Sequence, residues 1–165
     1  MVNRRSFTLV ELIMVLAIIS TLAAVGAPMM LQANRNFILS RSRIELQQEA
    51  RFIMYMLTRS LRQARSATIS IDRANNAQPF CSRITFTKEQ GDVLSFQQEG
   101  KTLYQRFPDT NLKRKLSGNL DYLAFTFPRS DDMTIISVSL TLRKDIYEGQ
   151  TKALHMASEK VRVMN

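Results

Sequence analysis

Residues 1–32 read MVNRRSFTLVELIMVLAIISTLAAVGAPMMLQ, and a single ionisable side chain interrupts their apolar part. From Phe7 to Leu31 the run is apolar apart from Thr8, Ser20, Thr21 and Glu11. As a helix it would extend about 37 Å, enough to cross a hydrocarbon core of about 30 Å. Arg4 and Arg5 stand before it with no acidic residue in between. That bias predicts a cytoplasmic N-terminus, with the C-terminal bulk carried across the membrane. A carboxylate inside such a segment costs several kcal/mol on insertion scales, so Glu11 needs a reason to be there.

A cleaved secretory signal would also begin with basic residues and an apolar stretch, and Ala23, Ala24, Gly26 and Ala27 offer a loose small-residue cleavage site. The run is too long for an ordinary signal core, however, and such a signal gives Glu11 no purpose. No cysteine directly follows the run to carry a lipoprotein anchor.

Beyond the run, Pro28 removes a backbone donor and predicts a bend, with Gly26 beside it. No further Gly or Pro occurs before Pro79, so the helix is expected to continue to about residue 68. Leu46, Ala50, Ile53, Met54, Leu57, Leu61 and Ala64 recur with the helical period and form one apolar stripe. Arg51, Arg59, Arg62 and Arg65 fall elsewhere on the wheel, which predicts a basic face turned outward. The turn-rich ANNAQP then closes the helical region. Strands are predicted at residues 83–87, 93–98, 102–107, 122–127 and 134–143, the first three joined by the Gly-bearing links EQGD and EGK. Ile84, Phe86, Leu94, Phe96, Leu103 and Phe107 supply one inward face. Ile136, Val138, Leu140 and Leu142 alternate against Ser137, Ser139, Thr141 and Arg143. PDTNLKRKLSGN reads as a basic surface connection, and SEKVRVMN as a further short strand. Cys81, the only cysteine, is expected as a small buried hydrophobe in a strand.

RRSFTLVELIMVLAIISTLAAVGAP resembles the N-terminus of type IV prepilins and type II secretion pseudopilins. The resemblance implies a leader, residues 1–6, cut on the cytoplasmic side between Ser6 and Phe7 by a prepilin peptidase, which then methylates the new amine of Phe7. Ser6 stands where that family usually has Gly, and processing is expected to be equal or slower. Glu11 falls at the family's glutamate position and Pro28 at its helix-kinking proline. Glu11 is then an assembly residue: facing a neighbouring subunit's terminal ammonium, it is partly compensated in lipid, and the penalty falls only at the correct axial offset. A carboxylate snorkelling to the headgroups is the plainer alternative.

The implied architecture is α+β and pilin-like, with a long N-terminal helix whose first half is transmembrane, packed on an antiparallel sheet. Residues 1–6 form the leader, 7–31 the membrane helix and 32–165 a periplasmic domain of an inner-membrane, single-pass protein. QQEARFIMYMLTRSLRQA, the SLTLR strand and the closing V-x-V-x-N are similar to J-type pseudopilins and W-type minor pilins. The implied function is that of a structural minor subunit that initiates or caps a type II secretion pseudopilus or type IV pilus. Its implied partners are other pilins of a tip complex, the prepilin peptidase and membrane lipid.

Nothing in the pattern points to an enzyme or a cofactor. His155 has no nearby Cys or paired carboxylate, and no phosphate loop, H-E-x-x-H or nucleophile elbow is present. Asp131 and Asp132 are adjacent acids without further oxygen ligands, a poor calcium pattern. The net charge of +9 admits nucleic acid, anionic lipid or an acidic protein as partner. Nucleic acid is the less favoured, because only Tyr55 interleaves the arginine face. A tip subunit contacting DNA, a surface or an export substrate is the alternative function. A membrane-anchored periplasmic protein unrelated to filaments is a third.

Overall fold

In the computed structural model, which describes residues 8–147 and 151–164, the chain forms two units, Met1–Ser40 and Arg41–Asn165. One helix, α1 (Leu9–Arg62), supplies most of the first unit and opens the second. Within the first unit its side chains are exposed on every side, with only Ile38 and Leu39 partly covered.

In the second unit the predicted stripe is the buried face. Leu46, Ala50, Ile53, Met54, Leu57, Leu61 and Ala64 all enter one hydrophobic core. Burying a Leu or Ile side chain contributes about 1.5–3 kcal/mol, so this stripe outweighs the weak helix propensities along it. The helix stops at Arg62 rather than near residue 68 because the following backbone has better partners. Arg65 N–H donates to Thr87 C=O at 2.9 Å, Glu89 N–H donates to Gln63 C=O at 3.0 Å, and Ala64 bridges Lys88. A 3₁₀ turn at Ser66–Thr68 follows.

Among the described residues, eight strands form two antiparallel meanders. The first is a five-stranded sheet of β1 (Ser70–Asp72), β2 (Arg83–Thr87), β3 (Val93–Glu99), β4 (Thr102–Phe107) and β5 (Leu112–Ser117), in that order. Ile84, Phe86, Leu94, Phe96 and Leu103 point into the core, and Phe107 packs against it half-buried. The links use left-handed glycines, Gly91 at φ +97° and Gly100 at φ +61°, which other residues adopt only with strain.

Three expectations are corrected here. The segment read as a basic connection contains β5, an edge strand paired with β4 from Phe107↔Leu112 to Leu103↔Ser117. Lys113, Arg114 and Lys115 hide the apolar alternation, and an edge strand does not require it. β1 is a short edge strand outside the predicted set; Asp72 holds it through a two-pronged ion pair with Arg83, Nη2 donating to Oδ2 at 2.6 Å. Cys81 is half-buried in the turn before β2 and does not lie in a strand.

The second sheet contains β6 (Leu120–Thr126), β7 (Ile135–Tyr147) and β8 (Thr151–Arg162). Ile136, Val138, Leu140 and Leu142 are fully buried, as alternation predicts. β8 is longer than the short strand read from SEKVRVMN. Its inward positions ahead of Val161, namely Ala153, His155 and Ala157, are small or polar and conceal the strand signal. The sheet expected as one is therefore two, and Gln98 joins them. Its buried amide accepts from Leu123 N–H at 3.1 Å and donates to Asp121 C=O at 3.3 Å and Gly100 C=O at 3.0 Å. Phe125 N–H also donates to Cys81 C=O at 2.8 Å. A side-chain amide and two backbone bonds, the second from Leu120 N–H to Lys101 C=O at 2.9 Å, thus satisfy the β6 edge where a neighbouring strand would otherwise lie.

Candidate assembly site

The opening turn of α1 is shaped by T-L-V-E at residues 8–11. Thr8 precedes the helix, and the Glu11 backbone N–H donates to its Oγ1 at 3.4 Å. In return, the Thr8 N–H donates to Glu11 Oε2 at 3.5 Å. This is a capping box, in which two N–H groups that the helix cannot satisfy are met reciprocally. A carboxylate there also meets the positive end of the helix dipole. The sequence pattern S/T-x-x-E marks such a box, so Thr8 is legible as a partner of Glu11 through the capping pattern and not through the cost of a charge in lipid.

Downstream polar groups are satisfied in the same local way. Ser20 Oγ donates to Leu16 C=O at 2.7 Å, and Thr21 Oγ1 donates to Ile18 C=O at 2.8 Å. From Thr8 to Leu31 every polar side chain therefore has a partner within its own helix. The apolar side chains around them face outward, Leu9, Ile13, Ile18 and Leu22 each more than half exposed. A helix apolar on all sides with its polar groups internally bonded suits lipid. Among the described residues, α1 is long and apolar enough to cross a membrane. Pro28 lies inside it and leaves the Ala24 carbonyl without its usual donor. Ser6 and Phe7 lie outside the described residues.

The other singled-out residues are engaged elsewhere in the fold. Asp132 Oδ1 accepts from the Thr134 hydroxyl at 2.5 Å and its N–H at 2.9 Å, which holds the carboxyl below its usual range. Asp132 also pairs with Arg162 at 3.6 Å, and Asp131 pairs with Arg129 at 3.3 Å. His155 sits half-buried on β8 opposite Leu142. Among the described residues no group of three or more His, Cys, Asp or Glu is placed to hold a metal ion. Arg51, Arg59, Arg62 and Arg65 are all exposed, as the helical wheel predicts.

No curated protein and no solved structure matches this chain. A family pattern does match at residues 1–27, that of the prokaryotic N-terminal methylation motif. It covers Ser6, Phe7, Thr8 and Glu11 and stops one residue short of Pro28. The motif points to a structural subunit, processed by a prepilin peptidase and assembled with other pilins, and is consistent with a single-pass inner-membrane protein. Its capped, internally satisfied apolar helix and the matched pattern agree: the chain carries the prokaryotic N-terminal methylation motif, the leader signature of type IV prepilins and pseudopilins.

Proposed function

We propose that this chain is a minor pilin or pseudopilin that initiates or caps filament assembly from the inner membrane. Residues 1–6 are its leader, 7–31 its membrane helix and 32–165 its periplasmic domain, with Arg4 and Arg5 keeping the N-terminus cytoplasmic. Cleavage between Ser6 and Phe7 leaves Thr8 as the second residue and Glu11 one turn inside the helix. A neighbour's methylated ammonium then meets the Glu11 carboxylate only at one axial offset, which converts an intramembrane penalty into register.

The observation that carries this reading is Glu11 itself. It is the one ionisable side chain between Thr8 and Leu31, and it lies within the matched motif. The resemblance of QQEARFIMYMLTRSLRQA to J-type pseudopilins and W-type minor pilins supports the minor role. The test is recovery of the processed chain with other pilins from solubilised membranes, and its loss on Glu11→Ala with leader cleavage intact. Recovery unchanged by Glu11→Ala overturns the assembly role.

A further inference from the structure

The basic face of α1 borders a groove in the second unit that assembly through Glu11 does not use. The groove has a volume of about 680 Å³ and runs beside the C-terminal end of β8. Its floor includes Met54 and Tyr55 from α1 and Met164 from the C-terminal segment. Tyr55 and Met164 are well exposed, at 57% and 78%. Arg51, Arg59 and Arg62 line it, against one acidic residue, Glu159. None of the three arginines forms an ion pair among the described residues. Arg59 Nη1 only donates to the Tyr55 hydroxyl, at 3.4 Å.

We infer that this groove docks an acidic amphipathic segment of a different protein chain. Three unpaired guanidiniums spread over about 16 Å of helix match carboxylates repeating at helical spacing. The methionines and the Tyr55 ring accept an apolar side chain between those carboxylates, and Met and Tyr favour such contacts. A second copy is a poor occupant. The chain has 23 Lys and Arg against 14 Asp and Glu, so two copies repel. Nucleic acid is also a poor occupant, because single strands need successive stacking platforms and the groove has one aromatic ring.

The test places a photo-crosslinking p-benzoylphenylalanine at Tyr55 of the full-length chain in its own host cells. The expected result is an adduct with a different polypeptide, the linked segment carrying several Asp or Glu. Arg59→Glu with Arg62→Glu should lower its yield about tenfold or more, as loss of close charge pairs does. Lysine in place of the facing carboxylates of the captured segment should restore it. The same probe at Tyr122, on the second sheet, should be insensitive to the arginine changes. No adduct from Tyr55, an adduct with a second copy or with DNA, or a yield indifferent to the arginines overturns the inference. Intact mass from the same cells reports leader removal, and a chain left uncut counts against the filament reading alone.

Discussion

Thr8 and Glu11 hold each other across the first turn of α1, each backbone N–H meeting the other's side-chain oxygen at 3.4–3.5 Å. Glu11 therefore has a local role in capping as well as the proposed role between subunits, and variants can separate the two. Glutamine retains the capping geometry without the charge, and alanine removes both. Thr8→Val removes one half of the box and keeps the carboxylate. If charge sets the register, co-purification with partner pilins should fall for Glu11→Gln nearly as far as for Glu11→Ala. Thr8→Val should lose little. Insertion should be easier for both Glu11 variants, by up to about 3 kcal/mol, so poor insertion cannot explain their defect. Equal recovery of wild type, Gln and Ala would make Glu11 a bystander.

Leader removal gives the second prediction. Intact mass of the membrane-extracted chain should correspond to a start at Phe7 with one added methyl group. Loss of Arg4 and Arg5 lowers the formal charge from +9 to +7. Retention of Met1–Ser6 in cells with an active peptidase would contradict it.

The helix–sheet core gives the third. A fragment beginning at Asn34 should be soluble, with the circular dichroism of mixed helix and antiparallel strand. Leu57 and Leu61 have no exposed surface. Leu57→Asp or Leu61→Asp in that fragment should cost more than about 4 kcal/mol, since each buries an unpaired carboxylate and loses apolar contact. Urea titration reads the loss, and a cooperative transition at the wild-type midpoint would refute the assignment of the core.

Gln98 gives the fourth. Gln98→Leu fills similar space but strands the Leu123 N–H and the Asp121 carbonyl. The expected cost is roughly 2–4 kcal/mol for two unmet backbone groups. Hydrogen exchange should accelerate at Leu123 before it does at Ile136, which lies in the middle strand. Uniform exchange across both positions would show that Gln98 does not join the sheets.

Acid should weaken the fold through Glu99 and Glu45. The Lys113 ammonium, donating to Glu99 at 2.5 Å, holds that carboxyl below its usual range. Lys144, at 2.6 Å, does the same for Glu45. For a lowered folded value, the stabilisation is complete above the unfolded pKa of about 4.3 and disappears as pH falls through the lower folded value. Melting temperature of the Asn34 fragment should change little from pH ~7 to ~5 and drop below pH ~4. Glu99→Gln with Glu45→Gln should make that drop shallower. A melting temperature that rises on acidification would contradict the sign.

Where burial followed a strong period, the sequence was legible. The six stripe residues of α1, with Ala64 just past its end, and the Ile136–Leu142 alternation are all found in the core. What escaped reading depended on pairing rather than on local pattern. Arg62 ends the helix because Gln63 and Arg65 find backbone partners at Glu89 and Thr87, distant in sequence. β5 was hidden because Lys113–Lys115 needs only β4 beside it, and β8 because small inward residues suffice against a packed neighbour. The junction of the two sheets uses a glutamine amide and two isolated backbone bonds, for which no sequence period exists. At the assembly site, Glu11 stood out by its cost in lipid, whereas Thr8 needed the capping pattern to be recognised.

β5 also determines what two copies of this domain can do when they meet. Among the described residues no strand pairs with its outer edge, and such edges invite sheets to extend from one molecule into the next. Two β5 strands brought together would set Lys113, Arg114 and Lys115 of one against the same trio of the other. Like charges facing each other across a ladder are unfavourable. Arg114 and Lys115, with Lys113 already held by Glu99, therefore oppose self-recruitment along this edge. If the domains crowd together in the proposed membrane pool, this edge resists their fusing into a continuous sheet before filament assembly.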